Sequence, residues 1–301
     1  MAATAPLLAR RRRSCLSVPG SDPRKVEKAL ASNADEVVVD LEDAVAVGAK
    51  DSARTTVVRI LDAQQLRDPE RVAVRVNAAG TPWCHLDLLA VAGLTRPPGS
   101  VVLPKVESAG DLAFAERLLD GAQVAAGAGQ RIGVQALVET ARGVARVAEI
   151  AGAGGRLEAL LLGYADLAAS LGLRAKEDEL VALWLPVQSA VLVAARAAGL
   201  QAVDGPHLGI RDDEPFRAAV GRTRALGFDG RWAIHPAQVT ALNELLSPST
   251  EEVAHATAVL AALEEADRGG GAGAVTLDGQ MLDEAVAAGA RRVLTSAGAA
   301  A

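Results

Sequence analysis

RIGVQALVETARGVARVAEIAGAGGRLEALLLGYAD, residues 131–166, is the stretch that decides the fold. One apolar run ends at Glu139 and Thr140, and a helical pattern follows. A second apolar run, Leu157 to Leu162, ends at Gly163, Tyr164, Ala165 and Asp166. Runs this short, bounded by glycine and polar residues, read as buried strands rather than helices. A strand, a helix and a second strand imply parallel pairing. Parallel neighbours bring their C-terminal ends together, and with them the carboxylates of Glu139 and Asp166. Two hard oxygen donors at one mouth, with few nitrogen or sulfur ligands nearby, suit Mg²⁺. The competing reading gives each acid the job of capping the helix that follows it.

Working outward, the same alternation runs almost from end to end. Candidate strands are Cys15–Val18, Glu36–Leu41, Val72–Val76, Val101–Leu103, the two above, Gln201–Val203 and Trp232–Ile234. Helical patterns lie between them: Pro23 to about Ser32, Lys50–Leu61, Trp83–Gly93, Asp111–Leu119 and Asp212–Leu226, with a last one from Ala237 to about Leu246. A helix after Asp166 breaks near Arg174 and resumes from Asp178 to Gly199, with Pro186 as a kink. Eight strand–helix units make a TIM (β/α)8 barrel, an α/β fold, over residues 13–247. A doubly wound sheet is the rival, but no GxGxxG opens a helix after the first strand. The barrel predicts that chemistry gathers at one rim. Glu42, Asp43, Arg75, Lys105, Glu139, Asp166, Asp204, His207 and His235 all fall at or just beyond strand C-termini.

Composition narrows the function. Half of the 301 residues are hydrophobic and only 2% are aromatic, so the core is built from Val, Leu, Ile and Ala. The net charge of −6 argues against a nucleic-acid groove. No apolar run is long enough to span a membrane. Two cysteines, Cys15 and Cys84, form no CxxC pair, which suggests a reducing cytoplasm. Arg10 to Arg13 follow no signal-type apolar region, so residues 1–12 read as a flexible basic arm. Past Pro248, residues 248–301 form a helical extension: a helix from Thr250 to Asp267, a Gly269–Gly273 hinge, a short hairpin over Val275–Met281, and a final helix from Leu282 to Leu294. Such a tail is a lid or an oligomer arm.

At these residues the chain resembles the HpcH/HpaI aldolase and citrate lyase β-subunit family, and more narrowly its stand-alone citrate lyase β-like members, which include malyl-CoA and citramalyl-CoA lyases. The matching stretches include RRSCLSVPGSDPRKVEKAL (12–30), VVVDLEDAVAVGAKDSAR (37–54), VRVNAAGTPW (74–83), VVLPKVESAGDL (101–112), ALVETARGVARVAEIA (136–151), LLLGYADLAASLGL (160–173), LGFDGRWAIHPAQV (226–239) and DGQMLDEA (278–285). Their order along the chain is specific. The resemblance implies the barrel already argued, with a C-terminal extension reaching a neighbouring subunit in a homotrimer or hexamer.

It also implies roles. Glu139 and Asp166 would hold Mg²⁺. Arg75 would grip the carboxylate of a 2-keto acid, a task suited to a fork of N–H donors. Glu42 would hold Arg75 or metal-bound water, with Asp43 sharing that role or capping a helix. Asp283 would enter from the next subunit as acid or base, although relatives often carry Pro where this chain has Ala285. Arg12 and Arg13, with Ser17, Pro19 and Gly20, would meet the phosphates and adenine of a coenzyme A thioester. Lys105 would face the mouth, and His235 would be a packed, hydrogen-bonded residue. The implied reaction is cleavage or formation of a C–C bond in a 3-hydroxyacyl-CoA such as citryl-, malyl- or citramalyl-CoA, giving acetyl-CoA and a 2-keto acid. The alternatives are a malyl-CoA thioesterase, an aldolase for free hydroxy-keto acids, and a β subunit whose acyl group rides on a carrier protein.

Overall fold

The computed structural model describes residues 10–63, 68–127, 129–174, 177–268, 275–277 and 279–298. Eight parallel strands close into a barrel. They are β1 (Ser14–Pro19), β2 (Glu36–Asp40), β3 (Val72–Arg75), β4 (Ser100–Leu103), β5 (Gly133–Val138), β6 (Leu157–Leu162), β7 (Gln201–Asp204) and β8 (Gly230–Ala233). Closure comes from β1 pairing with β8, Cys15 opposite Trp232 and Leu16 opposite Ala233. A doubly wound sheet has two open edges; this sheet has none.

The strands are near-continuous Val, Leu and Ala because both faces are covered, by helices outside and by other strands' side chains within. Cys15, Val38, Ala73, Val102, Leu137, Ala159, Leu161, Val203 and Trp232 form one buried cluster. The one large ring among them, Trp232, is 5% exposed.

The helices are α1 (Pro23–Leu30), α2 (Lys50–Ala63), α3 (Cys84–Ala92), α4 (Ala109–Ala126), α5 (Ala141–Ala145), α6 (Val147–Ala151), α7 (Tyr164–Leu171), α8 (Glu177–Ala197), α9 (Glu214–Leu226) and α10 (Ala237–Leu245). Their ends follow local chemistry. The side chain of Asp22 caps α1, with Pro23 in the first turn. Ser108 and Asp111 form a reciprocal capping box at α4, which runs well past the expected Leu119 to a left-handed Gly127. The helical pattern after Glu139 is broken in two at Arg146. Helix α8 continues through Pro186. Asp166 lies inside the first turn of α7 rather than ahead of it.

The first compact unit ends at Asn243 and the second begins at Glu244. In the second, α11 (Thr250–Arg268) packs against α12 (Glu284–Ala297), with Ala256, Val259, Ala290 and Leu294 of the helices and Leu282 just before α12 in one buried cluster. The hairpin expected there is β9 (Val275–Leu277) and β10 (Gln280–Leu282), paired antiparallel. The Gly269–Gly273 hinge lies outside the described residues. Among the described residues no helix is long and apolar enough to cross a membrane. Cys15 and Cys84 are free and buried.

One expectation is corrected at the N-terminus. Residues 1–9 lie outside the described residues, but Arg10 to Arg12 are not a loose arm. Arg12 is 3% exposed. Its guanidinium donates to Glu36 at 2.9 Å, to Glu158 at 2.7 Å, and to Gln201. Gln135 joins through Glu36 at 2.8 Å and Ser100 at 2.7 Å. The N-terminal mouth of the barrel is thus plugged by charge and amide rather than by apolar side chains. Burial alone would lower the pKa of Arg12; Glu36 and Glu158 more than offset it and keep the group cationic. Arg12→Ala would leave the buried Glu36 without its counter-ion, a loss of about 3–5 kcal/mol. Urea denaturation measures it, and a loss below about 1 kcal/mol would show the plug to be dispensable.

Candidate active site

The C-terminal ends of β2 and β3 begin the site. In their parallel register Asp40 lies beside Arg75. The Arg75 guanidinium donates to both oxygens of Asp40, Nε at 2.8 Å and Nη2 at 2.5 Å. Its Nη1 lies 3.1 Å from Glu42. The guanidinium carbon stands 5.7 Å over the Trp232 ring. Asp40, fully buried, also accepts from the backbone N–H groups of Glu42 at 2.7 Å and Ala44 at 3.1 Å. One carboxylate therefore folds the DLEDA turn and aims Arg75. Burial would lower the pKa of Arg75, but Asp40, Glu42 and Glu139 raise it and hold the cation. Lys50, itself buried, ties the turn from below through the carbonyls of Leu41 and Glu42, at 3.0 and 2.7 Å.

The turn after β4 supplies Lys105, whose φ of 52° is the sole positive value at a non-glycine among the described residues. That left-handed backbone costs about 1 kcal/mol. In it, the Lys105 N–H donates to Glu139 at 3.1 Å. Its ammonium pairs with Glu42 and lies 3.4 Å from Asp43, 3.3 Å from Asp166 and 3.9 Å from Glu139. Glu139, next after β5, is 2% exposed. Gly163 makes room for it, since a Cβ there would come 2.3 Å from Glu139 Oε2. Burial pushes the Glu139 carboxyl up to about 8; Lys105 opposes this, while Asp166 and Glu42 add to it. Glu42 is also raised by burial, against the pull of Arg75.

Asp40, Asp43, Arg75, Glu139 and Asp166 border a cavity of about 300 Å³ whose lining also includes Ser17, Pro19 and Trp232. Glu139 and Asp166, expected as metal ligands, thus share one pocket, and both reach toward the same ammonium. An all-oxygen pair, open to water and substrate oxygens, fits Mg²⁺, which usually takes one or two protein carboxylates. Among the described residues no group of three or more His, Cys, Asp or Glu could hold a metal.

Of the other expected residues, one joins the cavity and the rest do not. Pro19 borders the cavity. Gly20 lies under it, where a Cβ would meet Val57 at 2.7 Å and the Asp40 carbonyl at 2.9 Å. Arg13 and Arg12 precede β1 and so lie at the opposite end of the barrel from Pro19. Arg13 clasps Asp35 at 2.7 and 2.8 Å there, so neither arginine joins the mouth. A groove of about 370 Å³ opens at that end, but its Arg10 pairs with Glu70 and Glu158, and its Arg71 with the carbonyls of Ser32 and Ala34. In this fold catalysis belongs to the other face. His235 accepts from the N–H of Ala237 at 3.2 Å, and the His207 ring stands 5.8 Å from Phe216. Asp204 is fully buried among Tyr164, Thr223 and Arg231. Asp283, in the second unit, caps α12 by accepting from Val286 at 2.9 Å. Sequence reasoning missed Asp40, whose signal was an acid ending one strand beside an arginine ending the next, and it missed Tyr164.

A family model for HpcH/HpaI aldolase/citrate lyase matches residues 13–236. The L-malyl-CoA/β-methylmalyl-CoA lyase of Rhodobacter capsulatus is 37% identical over 297 residues, 92% of each chain. A (3S)-malyl-CoA thioesterase of Cereibacter sphaeroides is 38% identical over 288 residues, covering 95% of this chain and 94% of that one. Among solved structures, CitE of Mycobacterium tuberculosis in complex with magnesium, acetoacetate and coenzyme A superposes with a TM-score of 0.76 at 36% identity, over 97% of this chain and 99% of that one. The chain belongs to the HpcH/HpaI aldolase/citrate lyase family.

The raised Glu139 pKa gives a pH dependence. With its folded pKa near 8, above the ordinary value, the carboxyl is mostly protonated below that pH. A divalent ion must then displace the proton. Mg²⁺ affinity should fall as pH drops below about 8, by up to about tenfold per unit, with proton release on binding. Calorimetry in buffers of different ionisation enthalpy checks this; a flat profile between about pH 8 and about pH 6 would show that burial does not hold a proton on Glu139 against the metal.

Proposed function

We propose that this chain is a Mg²⁺-dependent carbon–carbon lyase acting on a 3-hydroxyacyl-CoA. The observation that carries the reading is the convergence of Glu139, Asp166 and Arg75 on one cavity of about 300 Å³, in a chain aligned almost end to end with malyl-CoA lyases. Glu139 and Asp166 hold Mg²⁺, which when bound supplies a Lewis acid for charge developing on the substrate's oxygen. Arg75 receives the carboxylate of the keto-acid half. Asp40 occupies two of its N–H groups, and a guanidinium has five. Because Asp40 fixes the fork beforehand, little rotational freedom remains to be lost on binding. Glu42 keeps Arg75 and Lys105 in place.

In cleavage, the hydroxyl passes its proton to water in the cavity and its carbon becomes a carbonyl. The C–C bond breaks, and its electron pair passes to the thioester as an enolate, which takes up a proton to give acetyl-CoA. Asp283 of a neighbouring copy in a homotrimer supplies that proton. Its exposure at the start of α12 is compatible with such a role. The chain works in the cytoplasm, where its two buried thiols stay reduced.

The charge of the pocket favours a keto acid with one carboxylate. Among the described residues Arg75, engaged by Asp40 and Glu42, is the one cation of that lining; the rest includes the acids Asp40, Asp43, Glu139 and Asp166, with Ser17 and Tyr164, and an apolar wall of Leu137, Leu162, Pro206, Trp232 and Ile234. A second carboxylate, as in oxaloacetate, would meet no cation there. Malyl-CoA and citramalyl-CoA are therefore preferred to citryl-CoA. A second reading, hydrolysis of malyl-CoA, draws support from the thioesterase relative; it yields free malate where the lyase yields glyoxylate.

The test is a coupled assay with the three thioesters, in Mg²⁺ and in EDTA. Metal-dependent acetyl-CoA release from malyl- or citramalyl-CoA is expected; silence on all three would refute the lyase reading. Glu139→Ala should lower kcat by about 10³-fold or more with the melting temperature retained. Asp283→Asn should be about 10²-fold slow or worse. If Asp283 acts across subunits, mixing the Glu139→Ala and Asp283→Asn chains under exchange conditions should restore activity. No recovery would confine Asp283 to its own chain.

A further inference from the structure

Tyr164 opens α7, two residues before Asp166. Its ring stacks on Trp184 of α8, with centroids 4.9 Å apart and planes 29° from parallel. Its hydroxyl donates to Asp204 Oδ1 and accepts from Gln188 Nε2 at 2.8 Å. The other oxygen of Asp204 accepts from Thr223 at 2.6 Å and from Arg231 Nη1 at 2.7 Å. A polar line thus runs from β8 through β7 to the first turn of α7. Gly205 admits it, since a Cβ there would come 2.5 Å from the Tyr164 ring.

Neither Asp204 nor Arg231 borders the cavity; Tyr164 does. Asp204 is fully buried and Arg231 is 5% exposed. An ion pair this deep gives little stability over an apolar pair of the same shape. What it does give is direction: a charged acceptor fixes where the hydroxyl points. The same turn is also held where Gly163 lies against the Glu139 carboxylate and its N–H bonds to Val138 at 3.3 Å, and where Asp166 lies 3.3 Å from the Lys105 ammonium. Of these, the Tyr164 hydroxyl ties the turn to the buried charges of β7 and β8.

We propose that Tyr164, anchored by Asp204 and Arg231, is a positioning residue that holds the first turn of α7 so that the Asp166 carboxylate keeps its spacing from Glu139 for a divalent cation. The inference rests on the reading of Asp166 as a metal ligand. Tyr164 acts through the backbone of α7 and does not touch the ion. Groups that orient a metal ligand typically change metal affinity by about 10–100-fold when removed.

The test titrates Mn²⁺ alone into the full-length metal-free protein, with affinity read by electron paramagnetic resonance. Four chains are compared: wild type, Tyr164→Phe, Asp166→Asn, and Val91→Ala as a core-loosening control on α3. Tyr164→Phe keeps the ring and loses only the hydroxyl. It should raise the Mn²⁺ dissociation constant about tenfold or more, and its lost turnover should return at saturating Mg²⁺. Val91→Ala should lower the melting temperature yet bind Mn²⁺ within about twofold of wild type. If Tyr164→Phe binds within twofold while Asp166→Asn loses the ion, the positioning role is overturned and the metal site stands. If Val91→Ala weakens binding as much as Tyr164→Phe, the effect is general loosening and the proposal fails. If Asp166→Asn binds as wild type does, the metal reading fails and takes the proposal with it.

Discussion

Five carboxylates, those of Asp40, Glu42, Asp43, Glu139 and Asp166, crowd one mouth of the barrel against the cations of Arg75 and Lys105. This surplus of negative charge is the constraint on which the rest of the site depends. Like charges within a few ångströms repel strongly where water is scarce. The fold tolerates them because each buried acid has a donor: Asp40 has Arg75 and two backbone N–H groups, and Glu139 has the N–H of Lys105. What stays uncompensated is charge of the sign and hardness that a divalent cation neutralises.

Backbone geometry makes the crowding possible. Lys105 adopts a left-handed conformation that glycine would hold without strain, but glycine would bring no ammonium into the cluster. Gly163 and Gly205 serve the opposite need, since a Cβ at either would displace the side chain it shelters, Glu139 or Tyr164. The two polar networks at the barrel's ends differ in use. At the N-terminal mouth, Arg12, Glu36, Gln135 and Gln201 bond to one another and close the interior, leaving one buried oxygen each of Glu36 and Gln135 without a partner. At the C-terminal mouth, the balance is left open toward a ligand.

The barrel was legible because its signal is local. Each apolar run of three to six residues is bounded by turn chemistry, and strand β6 matched its expected bounds, Leu157–Leu162. The rim residues were legible for the same reason: strand ends can be read from sequence, and the parallel topology gathers them. What escaped depends on register and depth. That Asp40 grips Arg75 follows from the pairing of β2 with β3, which no single run encodes. That Arg12 is buried follows from Glu36, Glu158 and Gln201 on three other strands, while four arginines in a row look like a solvated arm. Asp204 looked like one more rim acid until Tyr164, Thr223 and Arg231 surrounded it.

The most direct test of the account is a crystal of the wild-type protein soaked with Mn²⁺ and pyruvate, with diffraction collected at a wavelength where manganese scatters anomalously. The account predicts an anomalous peak between the carboxylates of Glu139 and Asp166, the Lys105 ammonium drawn away from it, and the pyruvate carboxylate on the Arg75 guanidinium. A peak elsewhere, or pyruvate bound away from Arg75 with the two acids still clasping Lys105, would contradict it.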